Sequence, residues 1–255
     1  MENLKLGIQL YTMRQYTQSP EDYASTMEKM AAIGYKYAQN SGIGGSVTPE
    51  IVKKVSDDTG IKIILTHTDP KRVLNDTERV IEEHLVYGCR AIGIGGAPYG
   101  HGYDEYMRFF ADYAPAIEKI KAAGMVFLYH NHRVEFEKYN GKYGLELIME
   151  NTDPEGCKLT FDAYWAAAAG VDPAAFIRKY GDRMFCTHFK DMAVLKDQVR
   201  MTELLTGNLN YDGIISACRE KDLIWNFVEQ DNVYIDAFES VKISHDNMKT
   251  RYGMD

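Results

Sequence analysis

The sequence predicts a closed (β/α)8 TIM barrel, on three observations. Eight short β-like runs each precede a helical pattern over 255 residues, matching parallel strands joined by helical crossovers in both length and alternation. The first run ends in Gln9-Leu10-Tyr11-Thr12, not in the Gly-x-Gly-x-x-Gly turn usual in an open doubly wound sheet. The ends of successive runs carry polar and ionisable residues, and that is where barrel chemistry sits.

The elements follow in order. Residues 5–10 form the first run, and a helix opens with Ser19 as N-cap and Pro20 at its first position. Tyr23, Met27, Met30 and Ala31 make its apolar stripe, and Gly34 ends it. Residues 35–38 are the second run, followed by a helix from Thr48-Pro49-Glu50 to Gly60. Residues 61–65 are a strong β-branched run, with a helix over 71–87 closed by Gly88. The fourth run is 90–94, with a helix over 104–123 stopped by Gly124. The fifth is 125–129, with a helix over 144–150. The sixth, 158–161, precedes a helix opened by Asp172-Pro173. The seventh, 184–187, leads through an irregular stretch to a helix over 211–220. The last run is 223–228, and a helix from Ile235 closes the chain. With no Pro/Ser-rich seam or charge block, residues 1–255 read as a single domain.

Composition narrows the function. The net charge of −8 gives no general attraction to phosphate backbones or anionic lipid, so neither nucleic acid nor membrane is an expected partner. No apolar stretch approaches the ~20 residues of a membrane span. MENLKLGIQL lacks a secretory h-region, and Cys89, Cys157, Cys186 and Cys218 show no Cys-x-x-Cys spacing. A reduced, cytoplasmic protein with inert core cysteines is expected, and a homo-oligomer is compatible with the sequence.

The run ends are Gln9, Gln39-Asn40, His67 with Asp69, Gly95-Gly96 and His130-Asn131-His132. Asp162, His188 with Lys190-Asp191, and Glu229 with Asp231 complete them. Five of the seven histidines fall near this rim, counting His101 in a neighbouring loop. Asp162 could be only the N-cap of a following helix, and Asp191 a loop or capping residue. Against that stands the coincidence of several runs delivering a His or carboxylate to one face, where burial is costly without a partner or a metal. One His with three carboxylates is an oxygen-rich set. It suits Mn²⁺ or Mg²⁺, with Co²⁺ or Zn²⁺ also compatible, and it lacks the thiolates of structural zinc.

These residues resemble those of the sugar phosphate isomerase/epimerase family of xylose isomerase-like TIM barrels. The likeness rests on Gly7-Ile8-Gln9-Leu10-Tyr11-Thr12-Met13-Arg14, Tyr129-His130-Asn131-His132-Arg133-Val134-Glu135-Phe136, and Phe161-Asp162 with Ala169-Gly170-Val171-Asp172-Pro173. Lys179-Tyr180-Gly181-Asp182-Arg183, His188-Phe189-Lys190-Asp191, Gly207-Asn208-Leu209 and Phe227-Val228-Glu229-Gln230-Asp231 follow in the same order. The resemblance implies a divalent metal, Mn²⁺ foremost, held by Asp162, His188 and Glu229, with Glu229 also moving a proton. Lys190 would hold a substrate oxygen and Trp165 an apolar sugar face, with His67, His130 and Asn131 as further substrate contacts. The chain departs from the family in having Gln39 where relatives often have Glu, Leu205-Thr206-Gly207 for a Gly-Glu-Gly stretch, and Tyr129 where epimerases have the first ligand Glu. Glu135, six residues on, is therefore expected to complete the metal site from its loop and to be catalytic together with Glu229, with His132 as a base. The rival expectation puts His130 or a water in the fourth position, and a histidine nitrogen there would favour Zn²⁺.

The resulting expectation is a metal-dependent isomerase or epimerase acting on a small carbohydrate through an enediolate. The alternative is a lyase removing water or an aglycone from a 3-keto sugar or inosose, for which the His-rich fifth loop supplies an extra base. A non-enzymatic carbohydrate-binding barrel would not need the carboxylate set. A DNA-repair nuclease would want more zinc-binding histidines and a basic groove.

Overall fold

The computed structural model describes residues 4–254. Its strands are β1 (Lys5–Gln9), β2 (Tyr37–Asn40), β3 (Lys62–His67), β4 (Ala91–Ile94), β5 (Val126–His130), β6 (Lys138–Tyr139), β7 (Lys142–Tyr143), β8 (Cys157–Asp162), β9 (Met184–Phe189), β10 (Asp191–Leu195), β11 (Gln198–Thr202) and β12 (Trp225–Val228). Eight of them close a barrel in the order β1-β12-β9-β8-β5-β4-β3-β2, all parallel, as the alternation of runs and helices predicts. The two remaining pairs, β6-β7 and β10-β11, are antiparallel hairpins on the connections.

Around the barrel lie α1 (Pro20–Ile33), α2 (Pro49–Thr59), α3 (Pro70–Asn75), α4 (Thr77–Val86), α5 (Tyr103–Ala122), α6 (Gly144–Glu150), α7 (Ala163–Ala168), α8 (Pro173–Tyr180), α9 (Tyr211–Glu220) and α10 (Ala237–Tyr252). Their starts obey local capping chemistry. The Ser19 hydroxyl accepts from the Asp22 N–H, and the Asp172 carboxylate accepts from Ala174 and Ala175, each cap followed by Pro at the first helical position. Tyr23, Met27 and Met30 are buried on α1, while Ala31 stays at the margin.

Two expectations shift. The second strand runs two residues later than the pattern suggested, because Tyr35 still belongs to the helix stop. Its N–H closes onto the Met30 carbonyl, and its hydroxyl donates to Val241 O. The helix over 71–87 is two helices, α3 and α4, broken at Asp76 with φ −141° and ψ 40°. The irregular stretch after the seventh strand holds the β10-β11 hairpin.

Small inward residues and one large ring fill the barrel floor. Leu65, Ala91, Leu128, Cys186 and Phe227 form a separate buried cluster there. Gly7 makes room for it, since a Cβ at that position would lie 2.5 Å from the Phe227 ring. Removing such a buried ring costs about 3–5 kcal/mol. All four cysteines are buried and unpaired, and burial pushes their thiols up to about 11–12.

The loop after β9 is tied down by one carboxylate. Asp191 accepts from the backbone N–H groups of Met192, Leu205, Gly207 and Leu209 at 2.7–3.1 Å. Gly207 is required there, because a Cβ would lie 2.5 Å from Asp191 Oδ1. Among the described residues, no helix is long and apolar enough to cross a membrane.

Candidate metal centre

Register brings the rim together. Asp162 pairs with His188 across β8-β9, Phe227 with His188 across β9-β12, and Gln9 with Gln39 across β1-β2. Each of these strands ends its apolar run at one height, and the polar residues there meet over the barrel mouth.

Four side chains form a buried donor group: His130, Asp162, His188 and Glu229, with one ligand atom from each lying within 4.8 Å of the others. His130 Nε2 is 3.4 Å from Asp162 Oδ2, and His188 Nδ1 is 2.9 Å from Glu229 Oε2. His188 Nε2 lies 2.6 Å from Gln39 Oε1, a hydrogen bond in the tautomer that carries the imidazole proton on Nε2. Nδ1 then carries a lone pair and has no hydrogen-bond partner. A lone pair facing a carboxylate oxygen at 2.9 Å is an arrangement that a cation between them satisfies. The donors therefore fit a divalent metal, as two imidazoles and two carboxylates.

This corrects the expectation for Glu135. Glu135 is fully buried but faces away from the group: Oε1 accepts from the Tyr129 hydroxyl at 3.0 Å, and Oε2 from the His132 N–H at 2.7 Å. His101 Nδ1 lies 3.7 Å from the same carboxylate. The short reach from Tyr129 to Glu135 within one loop turns the carboxylate back onto its own strand. His130 stands at the fourth corner instead. Asn131, expected at the substrate, is also engaged elsewhere. Its Oδ1 accepts from the Asp162 N–H at 3.0 Å, so it holds the Asp162 backbone. Asp162 itself combines both readings of its role, since its Oδ1 caps α7 through the Trp165 N–H while its Oδ2 faces the donor group.

Lys190 is fully buried in the middle of the carboxylates. Its Nζ lies 2.6 Å from Glu229 Oε2, 2.8 Å from Asp162 Oδ2 and 2.8 Å from Asp231 Oδ2. Gln9 Nε2 donates to the other Glu229 oxygen at 2.7 Å. Burial alone would raise the Glu229 carboxyl, but Lys190, then His188 and His130, hold it well below the usual carboxylate range. Asp162 is lowered in the same way, against its burial, by Lys190 and His130. Burial would lower the Lys190 ammonium, yet Asp162, Glu229 and Asp231 raise it above the ordinary lysine value.

The surrounding imidazoles differ among themselves. Burial, together with the charge of His130, pushes His132 down to about 3, so it is neutral at pH 7. Its ring packs edge-on to His130 at 4.7 Å and lies 5.8 Å from Trp165. His67 is held well below the usual value by burial and then by its neighbours His130 and His188, and its Nε2 has no partner. The Trp165 Nε1 is likewise buried and unpartnered. A cleft of about 390 Å³ opens beside His67 and Thr66, reaching Asn40, Arg72 and His84. That volume lies within the small-molecule range.

Gln9, Gln39 and Asp231 are participants to which sequence reasoning gave no role. Each ends an apolar run or follows it within three residues, the same signal that singled out His188. Glutamine attracts less notice there only because it is not ionisable.

Comparison with known proteins agrees with the barrel fold. The model of the xylose isomerase-like TIM barrel family matches residues 27–232. An inosose dehydratase of Lacticaseibacillus casei is 28% identical over 89 residues, 35% of this chain. The chain spans about 29% of the length of that curated relative. A sugar phosphate isomerase/epimerase from Parabacteroides distasonis superposes with a TM-score of 0.83 at 22% identity, covering 100% of this chain and 99% of that one. The probable 3-DHS dehydratase AsbF from Bacillus anthracis superposes with a TM-score of 0.76 at 16% identity, covering 97% and 100%.

Proposed function

The chain belongs to the xylose isomerase-like TIM barrel family, and from that premise we propose that it is a divalent-metal-dependent isomerase or epimerase of a small sugar, sugar phosphate or keto-sugar. The observation that carries this is the buried group of His130, Asp162, His188 and Glu229, with the His188 Nδ1 lone pair facing the Glu229 carboxylate. When bound, a divalent ion supplies a Lewis acid that lowers the cost of negative charge on substrate oxygens. Two imidazoles and two carboxylates favour Mn²⁺, Co²⁺ or Zn²⁺ over Mg²⁺.

The chain's own residues do the rest. Glu229 is ionised and oriented by Gln9, ready to accept a proton from the carbon beside a carbonyl. His132 is neutral and near Trp165, so its ring can hydrogen-bond a substrate oxygen. Trp165 offers an apolar face to a sugar ring. His67 Nε2, Gln39 Nε2 and the Trp165 N–H are buried polar atoms without a partner, available to bind hydroxyls.

A second reading, loss of water from a keto-sugar or inosose, is favoured by the orientation of Glu135. With that carboxylate turned onto Tyr129 and His132, the fifth strand offers imidazoles where an epimerase would offer a second Glu. The likeness to dehydratases supports the same reading. Ketoses, inososes and 3-keto glycosides should be offered with added Mn²⁺ in deuterated water and followed by NMR. Solvent deuterium on an intact skeleton supports isomerisation or epimerisation, and loss of a group supports the lyase. Full activity in protein that elemental analysis finds metal-free overturns both.

A further inference from the structure

The Lys190 ammonium uses the very oxygens a metal would need. Glu229 Oε2 lies 2.6 Å from Nζ and 2.9 Å from His188 Nδ1, and Asp162 Oδ2 lies 2.8 Å from Nζ and 3.4 Å from His130 Nε2. A divalent ion on these four donors would be close to the ammonium and strongly repelled by it. Yet the lysine is not superfluous to the charge balance. Asp162, Glu229 and Asp231 carry three negative charges and Lys190 one positive, leaving two for a divalent ion to neutralise.

The third partner resolves the conflict. Asp231 is outside the donor group and partly exposed at the rim, whereas Asp162 and Glu229 are buried. Its position is fixed by Arg14, whose Nη2 donates to the Asp231 carbonyl at 3.0 Å. The root of the lysine is fixed too, because the Tyr211 hydroxyl donates to the Lys190 carbonyl at 2.9 Å. Only the side chain is left to move.

We propose that Lys190 is an internal cation that shares the metal-ligating carboxylates and withdraws to Asp231 when a divalent ion enters. Asp231 is thus a positioning residue: it receives the ammonium and keeps the loaded site neutral. The inference rests on the reading of the donor group as a metal site.

Calorimetric titration with Mn²⁺ tests it without reference to turnover. Asp231→Asn removes the outer partner, so Mn²⁺ affinity should fall by about 10-fold or more. Lys190→Met removes the competing cation and should tighten Mn²⁺ binding by about 10-fold or more. In the double variant, the asparagine should change affinity by less than about 3-fold relative to Lys190→Met alone. Circular dichroism and thermal melts verify the fold of each variant, and Lys190→Gln replaces Lys190→Met if the latter does not fold. If Asp231→Asn binds Mn²⁺ as tightly as the wild type, or if the asparagine weakens binding equally without the lysine, the switch is overturned and the metal site stands. If Asp231→Asn does not fold, the lysine variant decides: affinity equal to or below wild type overturns the proposal. A folded wild type that binds no divalent ion overturns the metal reading along with it.

Discussion

Gln39 and His188, 149 residues apart in sequence, meet at 2.6 Å between Oε1 and Nε2. With the imidazole proton on Nε2, the contact leaves Nδ1 aimed at Glu229 Oε2, 2.9 Å away, and at Asp162 Oδ2, 3.9 Å away. Partners of this kind are worth about 10- to 100-fold in metal affinity. Gln39→Leu should therefore weaken Mn²⁺ binding by about that factor, whereas Gln39→Glu, which keeps the acceptor and removes an unpartnered Nε2, should retain it. Titration calorimetry of the two variants checks the difference, and equal losses would mean that packing, not the tautomer, is what Gln39 provides.

Glu229→Gln keeps the shape and one oxygen at the proposed base. Turnover should fall by about 10²-fold or more on whichever substrate the panel identifies. Steady-state kinetics decide the point, and a loss of only a few-fold would move proton transfer to another group such as His132.

Glu135→Ala should leave the metal content of purified protein unchanged, because the carboxylate lies outside the donor group. It should lower stability by about 1–3 kcal/mol for each group left unpaired, the Tyr129 hydroxyl and the His132 N–H. Elemental analysis and urea unfolding separate the two effects. Loss of the ion from a folded variant would return Glu135 to the ligand set.

Acid should weaken the fold through His84. This residue is buried beneath the β3 end, its Nδ1 2.7 Å from Val80 O and its Nε2 2.8 Å from the Thr66 hydroxyl. Burial lowers it to about 4, against about 6.5 in the unfolded chain. Between those values the unfolded state binds more protons, so stability rises with pH across the window and is lost as pH falls from 6.5 to 4. The loss amounts to at most about 3 kcal/mol. Urea unfolding of wild type and His84→Gln should show the gap between them narrowing toward pH 4; a constant gap refutes the assignment.

Strand and helix alternation, with its caps and stops, was legible because each depends on neighbours a few residues away. Ser19-Pro20 and Asp172-Pro173 announced their helices, and Asp162, His188 and Glu229 announced the rim by ending apolar runs. What local pattern could not carry was direction. Glu135 and His130 lie on the same strand and loop, and only the path of the chain after β5 decides which side chain faces the barrel axis. The same holds for Gln39, whose register shifts after Ala38, and for Lys190, whose partners come from β8 and from beyond β12. The break at Asp76 within the expected long helix is a further case, since a tertiary turn overrode a continuous helical pattern.

The Asp191 clasp has a consequence for how this barrel can change. By gathering the N–H groups of Met192, Leu205, Gly207 and Leu209 onto one carboxylate, it closes the base of the excursion that carries β10 and β11. Beyond that closure, Val194, Leu195 and Val199 are exposed on the hairpin arm. The arm thus leaves the barrel through a fixed foot, so changes in the length or sequence of its tip are expected to leave His188 and Lys190 in place.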